Sequence, residues 1–519
     1  MNPNTLKRLN YEFIKQHLLE YAISYLGKER VESMMPMTGK EEIRSRLDET
    51  EQAKKLLERG RGAPIPSLEG IRDIMDLLGS GYIFSERNFC DIAQFLYSCT
   101  QLIRYMRSHA QAAPLVNMYT AEMNDLPALQ AEIERCIRSG AILDTASKEL
   151  LKIRKKKATA EERLKSKLAS LANRYRSVMQ ENLISMRGGH YVLPIKKEHR
   201  KLVKGSVLDE SASGQTVYME PHEIVELQSQ LSSLRREEAD EEMKILSGLT
   251  AMVEENRDAF RKNVEQVGIY DFLFAKAKYG LEIGGTNVKL SGEGKIDLRD
   301  ARHPLLGNRM VPLHFAIGEA YNSLIITGPN TGGKTLTLKT VGLLTLMAQS
   351  GLLVPAAEGS TLAVFTQIAV DIGDGQSLEN NLSTFSAHIR NMMEILERAD
   401  RSTLVLIDEM ATGTDPGEGV ALSVAILEEL QRRGATVTVT THFNEIKNFA
   451  EAADGFENAR MEFDPATLQP LYRLRIGEAG RSYAFLIAQK LGMPAGIIER
   501  SREIASEGTG RLADHGKTE

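Results

Sequence analysis

The apolar positions along this chain fall into three textures. Over residues 6–140 they recur three and four apart, as in Phe13, Ile14, His17, Leu18 and Tyr21, with Pro and Gly mostly between such runs. That spacing predicts a helical domain over 1–140, read as a scaffold because it gathers no catalytic residue types. Over 144–179 the stripe Leu150, Ile153, Ala160, Leu164, Leu168, Leu171, Tyr175 and Val178 keeps helical spacing without Gly or Pro. One helix of roughly 50 Å is predicted there, at about 1.5 Å per residue. A second stripe, Ile224, Leu227, Leu231 and Leu234, resumes at Leu246, Leu249 and Val253 after a charged run. Two such helices within 141–285 predict an antiparallel pair of arms with a small module at the tip.

The tip, residues 181–221, alternates apolar and polar positions and is punctuated by Gly-Gly, Ser-Gly and Pro, which predicts short strands. It also concentrates Arg187, His190, Lys196, Lys197, His199, Arg200, Lys201 and Lys204. Arg187, Lys196, Lys197, Arg200, Lys201 and Lys204 are candidates to meet nucleic-acid phosphates, the alternative being a solvated hairpin face. From about residue 286 to 507, apolar strands at 323–326, 404–407 and 436–440 alternate with helical patterns, which predicts a largely parallel sheet covered by helices. Residues 508–519 read as a loose tail. The expected fold is therefore multidomain: an all-α core, long lever helices with a β-containing clamp, and a C-terminal α/β domain.

Composition adds only limits. With 519 residues, two to four domains are expected. A net charge of −5 with 26% charged residues leaves any nucleic-acid site to a local patch. Cys90, Cys99 and Cys136 have neither metal-ligand spacing nor an even count, which favours a reducing cytoplasm and core roles. The apolar stretch 341–357 is broken by Thr345, Gln349, Ser350 and Pro355, so no membrane span is expected.

Chemistry enters at 328–335, where Gly-Pro-Asn-Thr-Gly-Gly-Lys-Thr follows an apolar strand and precedes a helical pattern. This is a Walker A loop, and it calls for ATP with Mg²⁺. Its glycines let backbone N–H groups face phosphate oxygens, Lys334 reaches the β and γ phosphates, and Thr335 offers its hydroxyl to the metal. Gly328, Pro329, Asn330, Thr331, Gly332, Gly333, Lys334, Thr335 and Leu336 are the expected nucleotide contacts. At 404–409 an apolar strand ends in Asp408 and Glu409, the first for the Mg²⁺ shell and the second to orient or deprotonate the attacking water. The strand ending Thr440-Thr441 delivers His442, a candidate γ-phosphate sensor. Asp415 lies in a turn after the Walker B strand, and Gln376 precedes the LSTFS segment, where Ser383 is a candidate N-cap. With Thr384, these would serve a partner's nucleotide, so an ABC-type P-loop ATPase acting as a homodimer with composite ATP sites is expected.

These motifs, with ARHPLL at 301–306, LVLIDEMATGTDP, TTHFNEIK and AGRSYAFLIAQKLGMPAGIIERS, resemble the MutS family over nearly the whole chain. The resemblance is closest to its second bacterial paralogue, which lacks the mismatch-reading domain. It implies a dimer whose lever helices carry a clamp, and it implies adenine packing near Met310 and Val311, although the aromatic usual in mismatch-repair relatives is absent there. No aromatic-x-Glu wedge motif stands near the N-terminus, so mismatch sensing is not expected. The paralogue usually continues into a Smr nuclease domain whereas this chain stops at Glu519, so nuclease activity is not expected of it. The function implied is an ATP-driven clamp on branched or structured DNA that restrains recombination. Action on stalled or collided ribosomes, and a nucleotide-gated dimerisation scaffold with little turnover, are the alternatives.

Overall fold

A computed structural model describes residues 1–60, 62–329, 332–373, 384–410, 414–464, 467, 469–480 and 484–513. The chain folds as two compact units, one of Met1–Ala63, Tyr105–Ala121 and Val267–Glu519, the other of Pro64–Arg104 and Glu122–Gln266. The helical first 140 residues are thus divided between both.

The first unit is built on a six-stranded sheet ordered Gln367–Asp371, Thr403–Ile407, Thr436–Thr441, Ser323–Thr327, Phe456–Asp464, Gln469–Ile476. Five strands run parallel and the last is antiparallel. Ser323–Thr327, Thr403–Ile407 and Thr436–Thr441 are buried along their whole length. Strands covered on both faces give the continuous apolar runs seen in the sequence. Their side chains alternate between two cores. Leu324, Ile326, Leu404 and Leu406 meet the helix Lys334–Gln349 and, beyond it, Leu9, Tyr11, Ile14 and Leu18 of the N-terminal helices. Ile325, Val405, Ile407, Val437 and Val439 meet Met392, Ile426, Leu427, Leu430 and Ile446 of three helices on the other face. The helix Lys334–Gln349 is held so tightly that a Cβ on Gly342 would stand 2.8 Å from both Leu406 and Leu9. A second sheet, Lys289–Ser291, Thr361–Ala363, Ile296–Ala301, Leu313–Ile317, adds Ile296, Leu298, Phe315 and Ile317 to the first core. The helix Ala495–Ala513 runs beyond residue 508, where a loose tail was expected.

In the second unit the helices Lys148–Arg174 and His222–Glu255 pack antiparallel, as the pairs Arg154–Glu238, Arg235–Glu161 and Arg174–Glu223 require. The first is shorter than the 144–179 expected from its stripe. Ser147 caps its start by accepting the Leu150 N–H, and Met179 already pairs with Ile195 of the sheet. The second is one uninterrupted helix, whose charged run stays helical because Arg154 and Lys157 reach across to Glu238 and Arg154 also to Glu242. Between the helices lies an antiparallel sheet, Ser185–Arg187, His190–Lys196, Thr216–Pro221, Gly205–Glu210. Leu193, Ile195, Val217 and Met219 of that sheet close a core with Leu164, Leu168 and Leu171 of one helix and Ile224 and Leu231 of the other. Each such leucine contributes about 1.5–3 kcal/mol by leaving water.

Cys99 and Cys136 are buried, and all three cysteines are free. Among the described residues, no helix is long and apolar enough to cross a membrane.

Candidate functional site

Three parallel strands of the six-stranded sheet, Ser323–Thr327, Thr403–Ile407 and Thr436–Thr441, end at candidate residues. Ser323–Thr327 leads into Gly328, whose φ of 137° opens the turn, and Gly333 at φ 94° closes it before the helix begins at Lys334. Those conformations strain any residue with a Cβ, and a Cβ on Gly328 or Gly332 would also press within 3.1 or 3.3 Å of Met461 behind the loop. Asn330 and Thr331 lie outside the described residues. Pro329 is half-buried and Leu336 follows in the first turn of the helix.

Lys334 is 1% exposed and donates to the Gly328 carbonyl at 2.6 Å. Burial lowers its pKa, opposed by the negative charge of Glu409 and Asp408. Thr335 donates to Asp408 Oδ2 at 2.6 Å, and Thr440 donates to Asp408 Oδ1 at 2.5 Å. Thr440 Oγ also accepts the Glu409 N–H at 2.8 Å. Glu409 has φ 54°, a left-handed conformation that a non-glycine residue keeps only when its neighbours fix it. Thr440 on one side and the Asp371 carbonyl, which accepts the Asp408 N–H at 2.9 Å, on the other supply that restraint.

Among the described residues no group of three or more His, Cys, Asp or Glu converges, so a metal held by protein alone has no site there. The Thr335 hydroxyl and the Asp408 carboxylate, 2.6 Å apart, fit a hard cation that takes one or two protein oxygens and completes its shell with water and phosphate. That donor set suits Mg²⁺.

The remaining candidates are less concentrated. His442 follows the strand Thr436–Thr441, is exposed, and stacks on Phe443 with ring centroids 4.4 Å apart. Asp415 is exposed and caps the helix Pro416–Arg432, accepting from the Gly417 and Glu418 N–H groups. Met310 and Val311 are half-buried beside the strand Leu313–Ile317, and Met310 Sδ accepts the N–H of buried His303 at 3.0 Å. Gln376 and Ser383 lie outside the described residues, and Thr384 opens the helix Thr384–Arg398. In the other unit, Arg187 is paired with Asp209 at 3.0 Å and stacks over Tyr218, and Lys197 is paired with Glu210 at 3.1 Å. Arg200, Lys201 and Lys204 are exposed and Lys196 is half-buried.

Sequence reading missed two contributors. Thr440 is taken there only as the end of a strand that carries His442. Lys447, 8% exposed, donates to the Gly480 carbonyl at 3.0 Å, while the Gly480 N–H donates to Thr327 Oγ at 2.8 Å. The TTHFNEIK and AGRS segments carried a signal for this contact only as neighbouring motifs.

Residues 324–508 match the family model described as MutS domain V. The chain is similar to a protein named endonuclease MutS2 from Geobacillus sp. (strain WCH70), 41% identical over 97% of this chain and 65% of the relative. It is similar to proteins of the same name from Halothermothrix orenii, 39% identical over 98% of this chain and 65% of the relative, and from Bacillus cytotoxicus, 40% identical over 99% and 66%. The chain spans just under two thirds of the length of these curated relatives.

Proposed function

Because the chain belongs to the MutS family, we propose that it is an ATP-hydrolysing clamp that binds branched or otherwise structured DNA and restrains recombination. The observation that carries the ATPase reading is the joining of Lys334, Thr335, Asp408, Glu409 and Thr440 at adjacent strand ends. Lys334 leaves the Gly328 carbonyl for the β and γ phosphates, so the donor is occupied both before and after nucleotide arrives. Thr335 and Asp408 would hold Mg²⁺, which would neutralise charge on those phosphates. Glu409 orients the attacking water and accepts its proton as the water oxygen bonds to the γ phosphorus and the bond to the bridging oxygen breaks. His442 faces the γ phosphate from the neighbouring strand end. Gly328 to Leu336 cradle the phosphates, and Met310 and Val311 border the base.

Gln376, Ser383, Thr384 and Asp415 serve the nucleotide of a second copy. Phe485, Leu491, Met493, Ile497 and Ile504 support such a dimer, since they leave large side chains exposed on the helices Ala484–Lys490 and Ala495–Ala513 and in the turn that joins them. Lys196, Arg200, Lys201 and Lys204 are the nucleic-acid contacts of the clamp.

The test is phosphate release by the purified protein alone and with branched DNA, linear duplex or ribosomes, with Glu409→Gln as control. Stimulation selective for branched DNA is expected. Stimulation by ribosomes alone would sink the DNA reading, and phosphate release unchanged in Glu409→Gln would remove Glu409 from the chemistry.

A further inference from the structure

The last residue of the strand Gln367–Asp371 connects two things at once. Its carbonyl accepts the N–H of Asp408. Its carboxylate, 6% exposed, accepts from His388 Nδ1 at 2.7 Å and from Asn391 Nδ2 at 2.8 Å. His388 and Asn391 stand three apart on the helix Thr384–Arg398 and therefore share a face. Asn391 also donates to the Val370 carbonyl at 3.1 Å, and Arg8 donates to the same carbonyl at 2.9 Å with its guanidinium 3.6 Å from Asp371. A buried carboxylate with this many donors has one arrangement. His388 and the two acids at 408–409 line one cavity of about 40 Å³, together with Ile389, Met392 and Met410 and residues of the helix Pro416–Arg432. His388 is thus close to the acids, and Asp371 is its link to them.

We propose that Asp371 and His388 form a positioning pair that sets the Asp408–Glu409 turn against the helix Thr384–Arg398. The inference rests on the ATPase reading above. Glu409 keeps its left-handed φ because the peptide before Asp408 is pinned by Asp371 and the peptide after it by Thr440. Releasing the Asp371 side chain loosens the end of the strand whose carbonyl is one of those two pins, although the pairing of Asp371 with Ile407 remains, and lets Glu409 shift. Lys334 and the loop 328–335 follow a different strand, Ser323–Thr327, and the loop meets the turn through the Thr335–Asp408 bond, so Lys334 and the loop's backbone N–H groups reach the phosphates without the pair. The pair therefore acts on kcat and spares ATP affinity.

The atom used is Nδ1, and that gives a sharp test. Asparagine places its amide nitrogen where the imidazole carries Nδ1, whereas glutamine, one carbon longer, places it nearer Nε2. Steady-state ATPase kinetics and fluorescent-ATP binding are measured for the full chain, Glu409→Gln, His388→Asn, His388→Gln and His388→Leu. His388→Gln and His388→Leu are expected to lose about 10- to 100-fold in kcat, as a misplaced catalytic group does. ATP affinity is expected to stay within about twofold. His388→Asn should recover most of the lost kcat. Equal kcat in all three variants, an equal fall in Asn and Gln, or a parallel loss of ATP affinity overturns the proposal. Should His388→Leu fail to fold, the Asn and Gln variants still decide it. A wild-type chain without Glu409-dependent phosphate release overturns the ATPase reading instead.

Discussion

The strand ends around Asp408 and the sheet at 185–221 are both rich in charged side chains, yet they are organised on opposite terms. Around Asp408, one carboxylate receives two hydroxyls, one of those hydroxyls also accepts the N–H of the left-handed Glu409, and the nearby lysine is buried on a carbonyl. In the sheet at 185–221, Arg187 and Lys197 spend their charge on Asp209 and Glu210, while Arg200, Lys201 and Lys204 stand exposed. Buried polar groups must be matched, so their geometry is fixed in advance of any ligand. Exposed charges are solvated at little cost and take their positions from what they meet.

The largest expected effect separates these two regimes directly. Lys334→Ala leaves no group of comparable reach at Gly328 and should reduce phosphate release by roughly 1,000-fold, with fluorescent ATP no longer retained. Tight ATP binding by that variant would break the contrast, because the buried cation would then be structural only.

Next in size is a pH effect from the same unit. His303 is 5% exposed, and its Nδ1 has no hydrogen-bond partner among the described residues. Burial, with the positive charge of Lys339 adding to it, lowers its pKa to about 4. The unfolded chain takes up this proton near pH 6.5 and the folded chain only near 4, so the stability is present above about pH 6.5 and lost as pH falls between those values. The shift is worth on the order of 3 kcal/mol at most. Denaturant melts of the wild type should weaken over that window, and His303→Gln should flatten the dependence; identical pH slopes for both would mean that His303 does not titrate this way.

A smaller effect sharpens the account of Glu409. Thr440→Val keeps the shape of the strand but removes both the donor to Asp408 and the acceptor for the Glu409 N–H. Loss of one such restraint is worth about 1–3 kcal/mol, so kcat should fall about 10- to 100-fold while ATP still binds. Thr440→Ser, which keeps the hydroxyl, should restore it. A valine variant as active as the wild type would show that the left-handed turn holds itself.

How much of this the sequence discloses follows from how far each signal reaches. Gly328 to Thr335 and the run ending in Asp408 and Glu409 are local patterns, and each is legible because its chemistry demands particular residues at short spacing. The bridge made by Thr440, the hold of Asp371 on His388 and the use of Leu9, Tyr11 and Ile14 against the sheet join residues far apart in the chain. Periodicity shows that a face is apolar without showing what covers it. The same limit explains the helices of the second unit. Val178 and Met179 continue the helical spacing although the helix has ended at Arg174, and the charged run at 235–242 interrupts the apolar stripe because the partners of Glu238 and Glu242, Arg154 and Lys157, lie on the other helix.

The smallest expected effect tests the exposed side of the comparison. If the clamp meets phosphates, each contact releases counterions, and the slope of log affinity against log salt carries about 0.9 per phosphate on duplex DNA. Arg200→Ala, Lys201→Ala and Lys204→Ala together should therefore make the slope shallower by about 2 to 3. Arg187→Ala removes the same unit of charge, but its guanidinium is already held by Asp209 and the Tyr218 ring. Charge alone would make the per-residue effects equal, whereas contact would not. Salt titrations of branched-DNA binding decide between them: a shallower slope in the triple variant with an unchanged slope in Arg187→Ala assigns the contacts to the exposed cations Arg200, Lys201 and Lys204. Equal per-residue changes would reduce the clamp to a diffuse positive field, in which no single side chain reads the ligand.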